Sequence, residues 1–505
     1  MREASVLGQS SERQDAGELS HILGRAPPAL VCFAGERDWY RAPMLSGREV
    51  FAGPRCETAR GADGLYRSVK TPPGEFDLAK LVEALPPPQK PALVVAQANR
   101  SAQAVARNLH AVPAVKALVL GDTHHMPNPI SFLLEYLLAE RYDVVVGEFC
   151  RQHLHWFVEA GAAAVRWLPF ASLNPRHEPP AGELRPGVSF VGQAGARHPY
   201  RTRVLEFLRR QGVPLEAREA PHAEAARIHA AAAMSLNVSL NGDLNLRVGE
   251  VLAAGGFLFT DRLSRQAGAD LLFEDGRHLV FFDGAEHLLD RVRHFEAHPA
   301  EARAIRAAGA ALALRELNAA RKTAQLLDLV RDGRDESLFS PSREPRCRRP
   351  KAPALDPLLA RLRAYEYVQE EHRRADRLRL IAAPGVSDLL LADLADLPRL
   401  AIAATCRDEA HLASRRRAFE REEVAEAIAL TVGFANPPPS EEPTVLALGA
   451  EDLGLLDGAP AADHVIVEGG RGRLDVDALG RLGERLARRG FRLDDALLPA
   501  YRRQA

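Results

Sequence analysis

Lysine is scarce in this chain. Of its 66 basic residues only Lys70, Lys80, Lys90, Lys116, Lys322 and Lys351 are lysines, so none falls between Lys116 and Lys322. An anion bound by that central stretch must be bound by arginine, whose planar fork grips a phosphate in two places. Cysteine is sparse as well. Cys32, Cys56, Cys150, Cys347 and Cys406 stand far apart, which argues against a disulfide framework and against a structural zinc site. No apolar run approaches a membrane span, which needs about 20 residues. Residues 1–23 are polar and mixed in charge, unlike a signal peptide. An excess of either charge is missing too, and the net charge of -1 gives no bulk attraction to nucleic acid or to a membrane surface. A soluble, cytoplasmic protein is expected.

Apolar material is ample. Hydrophobic residues make up 46% of 505, enough for several cores, and the length predicts more than one domain. Residues 1–27 read as a loose polar leader. From 28 to 173, apolar runs at 30–33, 92–95, 117–120, 144–146 and 165–170 alternate with helical patterns, as in a parallel sheet flanked by helices. The stretch Asn174-Pro175-Arg176-His177-Glu178-Pro179-Pro180 then breaks the alternation as an interdomain linker. The second α/β unit, 174–331, takes up its pattern at Val188-Ser189-Phe190-Val191-Gly192. A polar linker, 332–353, precedes a third α/β unit, 354–505. No internal repeat is visible.

The most informative stretch runs from Ser239 to Asp261: a polar loop, a short helix, the double glycine Gly255-Gly256 and a buried strand. Val248, Val251 and Leu252 share one helix face, and the glycines stop the helix as a C-terminal cap does. Glu250 then lies in the first turn or two. A carboxylate there accepts hydrogen bonds from a vicinal diol, while N–H groups at the helix start favour an anion. A ribose joined to a diphosphate offers both features.

Residues 235–330 resemble the nucleotide-binding half of GT-B glycosyltransferases, especially bacterial ones similar to the spore-maturation-protein (CgeB-like) type. The resemblance rests on Glu250 followed by a small-residue turn and an apolar strand. It continues through Leu272-Phe273-Glu274-Asp275-Gly276, Asp283-Gly284-Ala285-Glu286-His287-Leu288 and His298-Pro299-Ala300-Glu301. Many family 4 retaining enzymes carry a second glutamate eight positions before the ribose one. That position is Gly242 here, with Asp243 beside it, so the two-glutamate signature is absent. The resemblance implies two facing Rossmann-like domains with a nucleotide-sugar donor between them.

Three segments fall where ligands gather, beyond the carboxyl ends of strands. In Gly121-Asp122-Thr123-His124-His125, either histidine suits a general base for an acceptor. The resemblance supports an acceptor-side role for this turn, with Asp122 included; packing histidines and a capping aspartate are the plainer alternative. Arg151-Gln152-His153-Leu154-His155-Trp156 holds a His-x-His pair, but without a third metal ligand it reads as a helix start with Trp156 and Phe157 turned inward. Gly192-Gln193-Ala194-Gly195-Ala196-Arg197-His198-Pro199-Tyr200-Arg201-Thr202-Arg203 opens a helix after a strand, and its glycines would let backbone approach a phosphate. With lysine missing, Arg197, Arg201 and Arg247 are the candidates for the diphosphate. Asn241, Asp243, Gly192 and Glu250 complete the expected donor site.

Asp475-Val476-Asp477 has the form of a metal-binding triplet, but its aspartates read as caps of the helix that follows. The third unit vaguely looks like a methyltransferase sheet. Its first turn, Ala383-Pro384-Gly385-Val386-Ser387, has one glycine, and its second strand ends Thr405-Cys406 without an acid; Asp408 follows a few residues later. A degenerate α/β domain that binds no S-adenosylmethionine is expected, with 354–505 as the candidate surface for a protein partner, and a chain ending near Asp332 is expected to keep donor binding. The expected function is metal-independent sugar transfer from a nucleotide sugar, which is a substrate, with no separate cofactor. The acceptor is an unknown glycan, protein or small molecule. The alternatives are a non-catalytic scaffold on the same fold and a nucleotide-sugar epimerase.

Overall fold

A computed structural model describes residues 21–22, 24–33, 48–101, 103–178, 182–352, 355–375, 377–432, 442–449, 452, 455, 462–468, 476–495 and 500–504. Most of the expected leader, Pro179 and Pro180 of the first linker, and Asp475 lie outside these residues; at Asp477 only the backbone is described.

The first sheet is built from β1 (Ala29–Cys32), β2 (Glu49–Gly53), β3 (Ala59–Arg60), β4 (Tyr66–Lys70), β6 (Leu93–Ala98), β8 (Val115–Leu120), β9 (Val144–Gly147) and β10 (Val165–Trp167), while β5 (Gly74–Asp77) pairs with β7 (Ala104–Arg107) apart from it. Its order is β10-β9-β8-β6-β1-β2-β4-β3, parallel except at the β3 edge. The five expected strands are present; β2 and β4 were hidden by their short, polar-flanked runs. The second sheet comprises β11 (Arg185–Val191), β12 (Leu215–Arg218), β13 (Ala232–Asn237), β14 (Leu258–Asp261) and β15 (Val280–Phe282). Its order is β12-β11-β13-β14-β15, all parallel, so connections leave β11 in opposite directions and open a crevice between β11 and β13.

The third sheet contains β16 (Leu378–Ala382), β17 (Leu400–Cys406), β18 (Ile428–Val432), β19 (Thr444–Gly449), β20 (His464–Glu468), β21 (Phe491–Asp495) and β22 (Ala500–Arg503). The order is β18-β17-β16-β19-β20-β22-β21, with β22 antiparallel to both neighbours. At its crevice, between β16 and β19, two carboxylates take up turn N–H groups. Asp452 Oδ2 accepts from the N–H groups of Gly385 and Gly449, both at 2.8 Å, and Glu468 accepts from the N–H and the hydroxyl of Ser387. Asp408 caps the helix Glu409–Arg421 by accepting from the His411 N–H.

Three expected boundaries shift. Ile22 and Ala26, placed in the leader, are buried against Ala29, Leu93, Ala324 and Leu327. The helix Ala319–Asp332, placed in the second unit, returns to cover the first sheet, with Leu326 against Ala117, Val119 and Val144. A parallel sheet needs both faces covered, and this helix supplies the missing cover. The stretch 332–353 is no free linker. Arg346 pairs with Asp396, and Arg349 Nη1 lies 3.2 Å from Glu159 and 2.9 Å from Asp393. Arginines that look solvated in sequence are buried here because carboxylates from other elements meet them. The helix Leu355–Ala375 likewise buries Leu362, Tyr365 and Val368 in one core with residues of the first unit.

Candidate functional site

The helix Leu246–Ala253 starts at Asn245 and carries Glu250 in its second turn. Its stop is as the glycines require: Gly255 adopts φ +81 and donates to the Leu252 carbonyl at 2.9 Å, while Gly256 donates to that of Val251 at 2.8 Å. Before the helix, Asp261 at the end of β14 holds the loop by accepting from the N–H of Ser239 at 2.7 Å. The helix start thus faces the crevice beyond β11 and β13.

That crevice is a cleft of about 410 Å³, within the size range of small-molecule and cofactor sites. Asp122, His124, His125, Gly192, Arg201, Asp243, Arg247 and Glu250 all line it, so eight of the ten expected site residues meet in one place. Their roles differ in detail. Arg201 and Arg247 both lie over the Phe190 ring, at 5.5 and 4.9 Å. Arg201 donates to the carbonyls of Gln193 and Val238 at 2.8 Å each, and Arg247 donates to Asn237 Oδ1 at 3.0 Å. Among the described residues neither pairs with a carboxylate. Burial, then the neighbouring Arg247 charge, pulls Arg201 down to about 9. Two crowded guanidinium groups of one sign at a helix start favour a nearby anion.

Gly192, in the cleft lining, leaves room for the Arg247 side chain. A Cβ there would stand 2.2 Å from Arg247 Nη2. Asn241 does not reach the cleft wall. Its amide donates to the carbonyls of His124 and Gln369, at 2.7 and 3.1 Å, and its Oδ1 lies 2.9 Å from His372 Nδ1, so it joins three parts of the chain. Arg197 is exposed and outside the lining; its carbonyl accepts from Arg373.

On the opposite wall, His124 is buried, with Nε2 3.4 Å from Asp243 Oδ2 and Nδ1 3.6 Å from Cys150 Sγ. Burial, then the adjacent His125, lowers it to about 3, so it stays neutral. Burial raises Asp243 in turn. His125 and Asp122 are half-buried and 3.8 Å apart. Asp122, His124 and His125 also offer one possible metal-ligand atom each, all within 4.8 Å of one another. His153 and His155 are elsewhere: His153 links Thr123 to Tyr365, and His155 lies 3.1 Å from Asp393. Trp156 and Phe157 are fully buried, as their sequence context predicts.

Sequence reasoning missed three histidines in the cleft, His198, His222 and His229. His222 Nδ1 lies 3.2 Å from Glu250 Oε1, and that hydrogen bond raises its pKa. His198 precedes the helix Pro199–Arg210, and His222 and His229 lie seven positions apart in the helix His222–Ala231, a spacing that matches no motif. Several polar atoms in the cleft have no protein partner among the described residues: His125 Nδ1, His198 Nδ1, Arg201 Nε and Asn245 Oδ1. Buried polar atoms in that state point to a ligand or ordered water.

Comparison with known proteins follows the same part of the chain. Residues 191–328 match the family model described as glycosyl transferase-like. No curated protein sequence matches the chain. Among solved structures, the chain is similar to Anabaena HepE in complex with UDP-glucose at 12% identity, over 61% of this chain and 100% of that one, with a TM-score of 0.43. Sucrose-phosphate synthase from Thermosynechococcus elongatus is 13% identical over 61% and 100%, with a TM-score of 0.40. The pneumococcal O-GlcNAc transferase GtfA, in complex with UDP and GlcNAc, is 14% identical over 48% and 56%, with a TM-score of 0.32.

Proposed function

We propose that this chain is a glycosyltransferase of the GT-B kind, taking a nucleotide-sugar donor in the cleft beyond β11 and β13. The observation that carries the reading is the pair of buried Arg201 and half-buried Arg247, both over the Phe190 ring and without a carboxylate partner among the described residues, where the helices Pro199–Arg210 and Leu246–Ala253 begin. The glycosyl transferase-like match over the same residues supports it. The resemblance to the spore-maturation-protein type belongs to this reading too.

In this reading the donor diphosphate sits on Arg201, Arg247 and the first N–H groups of the helix, and the ribose diol on Glu250. The acceptor hydroxyl enters from the Asp122 side. Its proton passes to Asp122 or His125, its oxygen bonds the anomeric carbon, and the bond from that carbon to the diphosphate breaks. The arginines hold the charge that builds on the leaving diphosphate, where fixed donors contribute most. His124, kept neutral between Asp243 and Cys150, serves by hydrogen bonding. No step uses a metal. In this reading the third unit supplies no group to the reacting atoms; Asp452 and Glu468 take up the backbone N–H groups of Gly385, Gly449 and Ser387 at its own crevice.

The test is turnover of a panel of UDP-, GDP-, ADP- and TDP-sugars by the full chain, with and without EDTA. The reading expects release of nucleoside diphosphate from at least one donor, unchanged by EDTA and abolished in Arg247→Ala. Donor binding with no release on any acceptor points to a scaffold. Interconversion of free nucleotide sugars points to an epimerase.

A further inference from the structure

The Asp122–His125 turn is fastened from behind by one helix of the third unit. Tyr365, Glu366, Gln369 and His372, all nearly fully buried, fall on one face of Leu355–Ala375. Tyr365 Oη lies 2.7 Å from His153 Nε2, and His153 Nδ1 lies 2.8 Å from Thr123 Oγ1, inside the turn. His372 Nδ1 lies 2.9 Å from Asn241 Oδ1, and Asn241 donates to the carbonyl of His124 at 2.7 Å. Gln369 accepts from the same Asn241 amide through its carbonyl, at 3.1 Å. Glu366 accepts from the N–H groups of Ile130 and Ser131, at 2.6 and 2.9 Å, where the helix after the turn begins.

We propose that the helix Leu355–Ala375 is a positioning element for the acceptor side of the cleft, with Tyr365 and His372 as its positioning residues. The turn is reached at Thr123 through His153 and at His124 through Asn241, and the helix that follows it is pinned by Glu366. The Asn241 line passes through the loop before the Leu246–Ala253 helix, but none of the three lines contacts Arg247 or Glu250. The third unit therefore has a part in the reaction without supplying a group to the reacting atoms. It fixes where Asp122 and His125 stand relative to the donor.

This inference rests on the glycosyltransferase reading for its kinetic consequence but not for its structural one, and the experiment separates the two. Tyr365→Phe keeps the ring and removes one oxygen; His372→Leu removes the second line. In the full-length variants, the reaction of His124 with diethylpyrocarbonate, followed by peptide mass spectrometry, should quicken about tenfold as the turn loosens. The exposed His294 serves as the internal control. With a donor that the unsubstituted chain turns over, kcat should fall roughly 10–100-fold, since small misplacements carry such costs, while the affinity for UDP changes less than about twofold. Unchanged His124 reactivity in both variants overturns the proposal, as does full kcat in a variant whose turn has loosened. If no nucleotide sugar is turned over by any form, the glycosyltransferase reading fails, and His124 reactivity alone decides whether the helix holds the turn.

Discussion

Replacing Gly192 by alanine drives a methyl group into the Arg247 guanidinium. The new Cβ would lie 2.2 Å from Arg247 Nη2 and 2.9 Å from its Cζ, well inside contact distance. The flexible side chain gives way, leaving Asn237 Oδ1 and the cleft. A diphosphate then loses a charge-assisted hydrogen bond, a cost of about 1.5–3 kcal/mol. At about 1.4 kcal/mol per decade, Kd rises roughly 10–150-fold. Gly192 also has φ +149, so alanine strains the backbone by roughly 1–3 kcal/mol. That strain is present in free and bound chains alike and lowers stability, not affinity. The assay is calorimetry of UDP, with GDP and ADP alongside, on Gly192→Ala, Arg247→Ala and the double variant. Both substitutions remove the same group, so the double variant should bind no more weakly than Arg247→Ala. Unchanged affinity in Gly192→Ala, or effects that add, would refute the reasoning.

Glu250→Ala should weaken binding of the cognate nucleoside diphosphate by about 1.5–3 kcal/mol, the usual loss for a hydrogen bond to a charged group; equal affinity in a folded variant removes the ribose assignment. Asp122→Asn and His125→Ala should bind donor normally but turn over about 10²–10⁴-fold more slowly, whereas wild-type rates in both would leave them as packing residues. The rings of His124, His229 and His372, each held at about 3 chiefly by burial, should stay neutral in the folded chain from pH 8 to pH 5 by NMR. Each takes up a proton on unfolding below its ordinary pKa, so its contribution to stability is complete above pH 6.5 and is lost as pH falls toward 3; titration of any of them near 6.5 would contradict its burial. A chain ending at Asp332 should aggregate or fail to bind UDP, because it lacks the buried Tyr365 and Leu362 and leaves Glu159 without Arg349 and Arg361; a soluble, UDP-binding fragment would restore the independent-unit reading.

Much of the cleft was legible because its signals are local. The Glu250 helix announces itself by its apolar face and double glycine, and the dearth of lysine points to Arg201 and Arg247. The Asp122–His125 turn follows a strand that apolar residues make plain. What was hidden depends on contacts far apart in sequence. Asn241 sits in the same loop as Asp243, yet it turns away toward His372, 131 positions on. Arg197 and Arg201 look alike in sequence, and only the path of the helix Pro199–Arg210 decides that Arg201 is the buried one. Arg346 and Arg349 have the composition of a solvated linker until Asp396, Asp393, Glu159 and Glu422 close on them. No periodicity records such partners.

The most direct measurement is a crystal structure of the full chain with UDP bound. The account predicts the diphosphate in contact with Arg201, Arg247 and the start of the Leu246–Ala253 helix, and the ribose hydroxyls on Glu250. Ordered nucleotide elsewhere on the chain, or in this cleft with its ribose turned away from Glu250 and its phosphates away from both arginines, would contradict it.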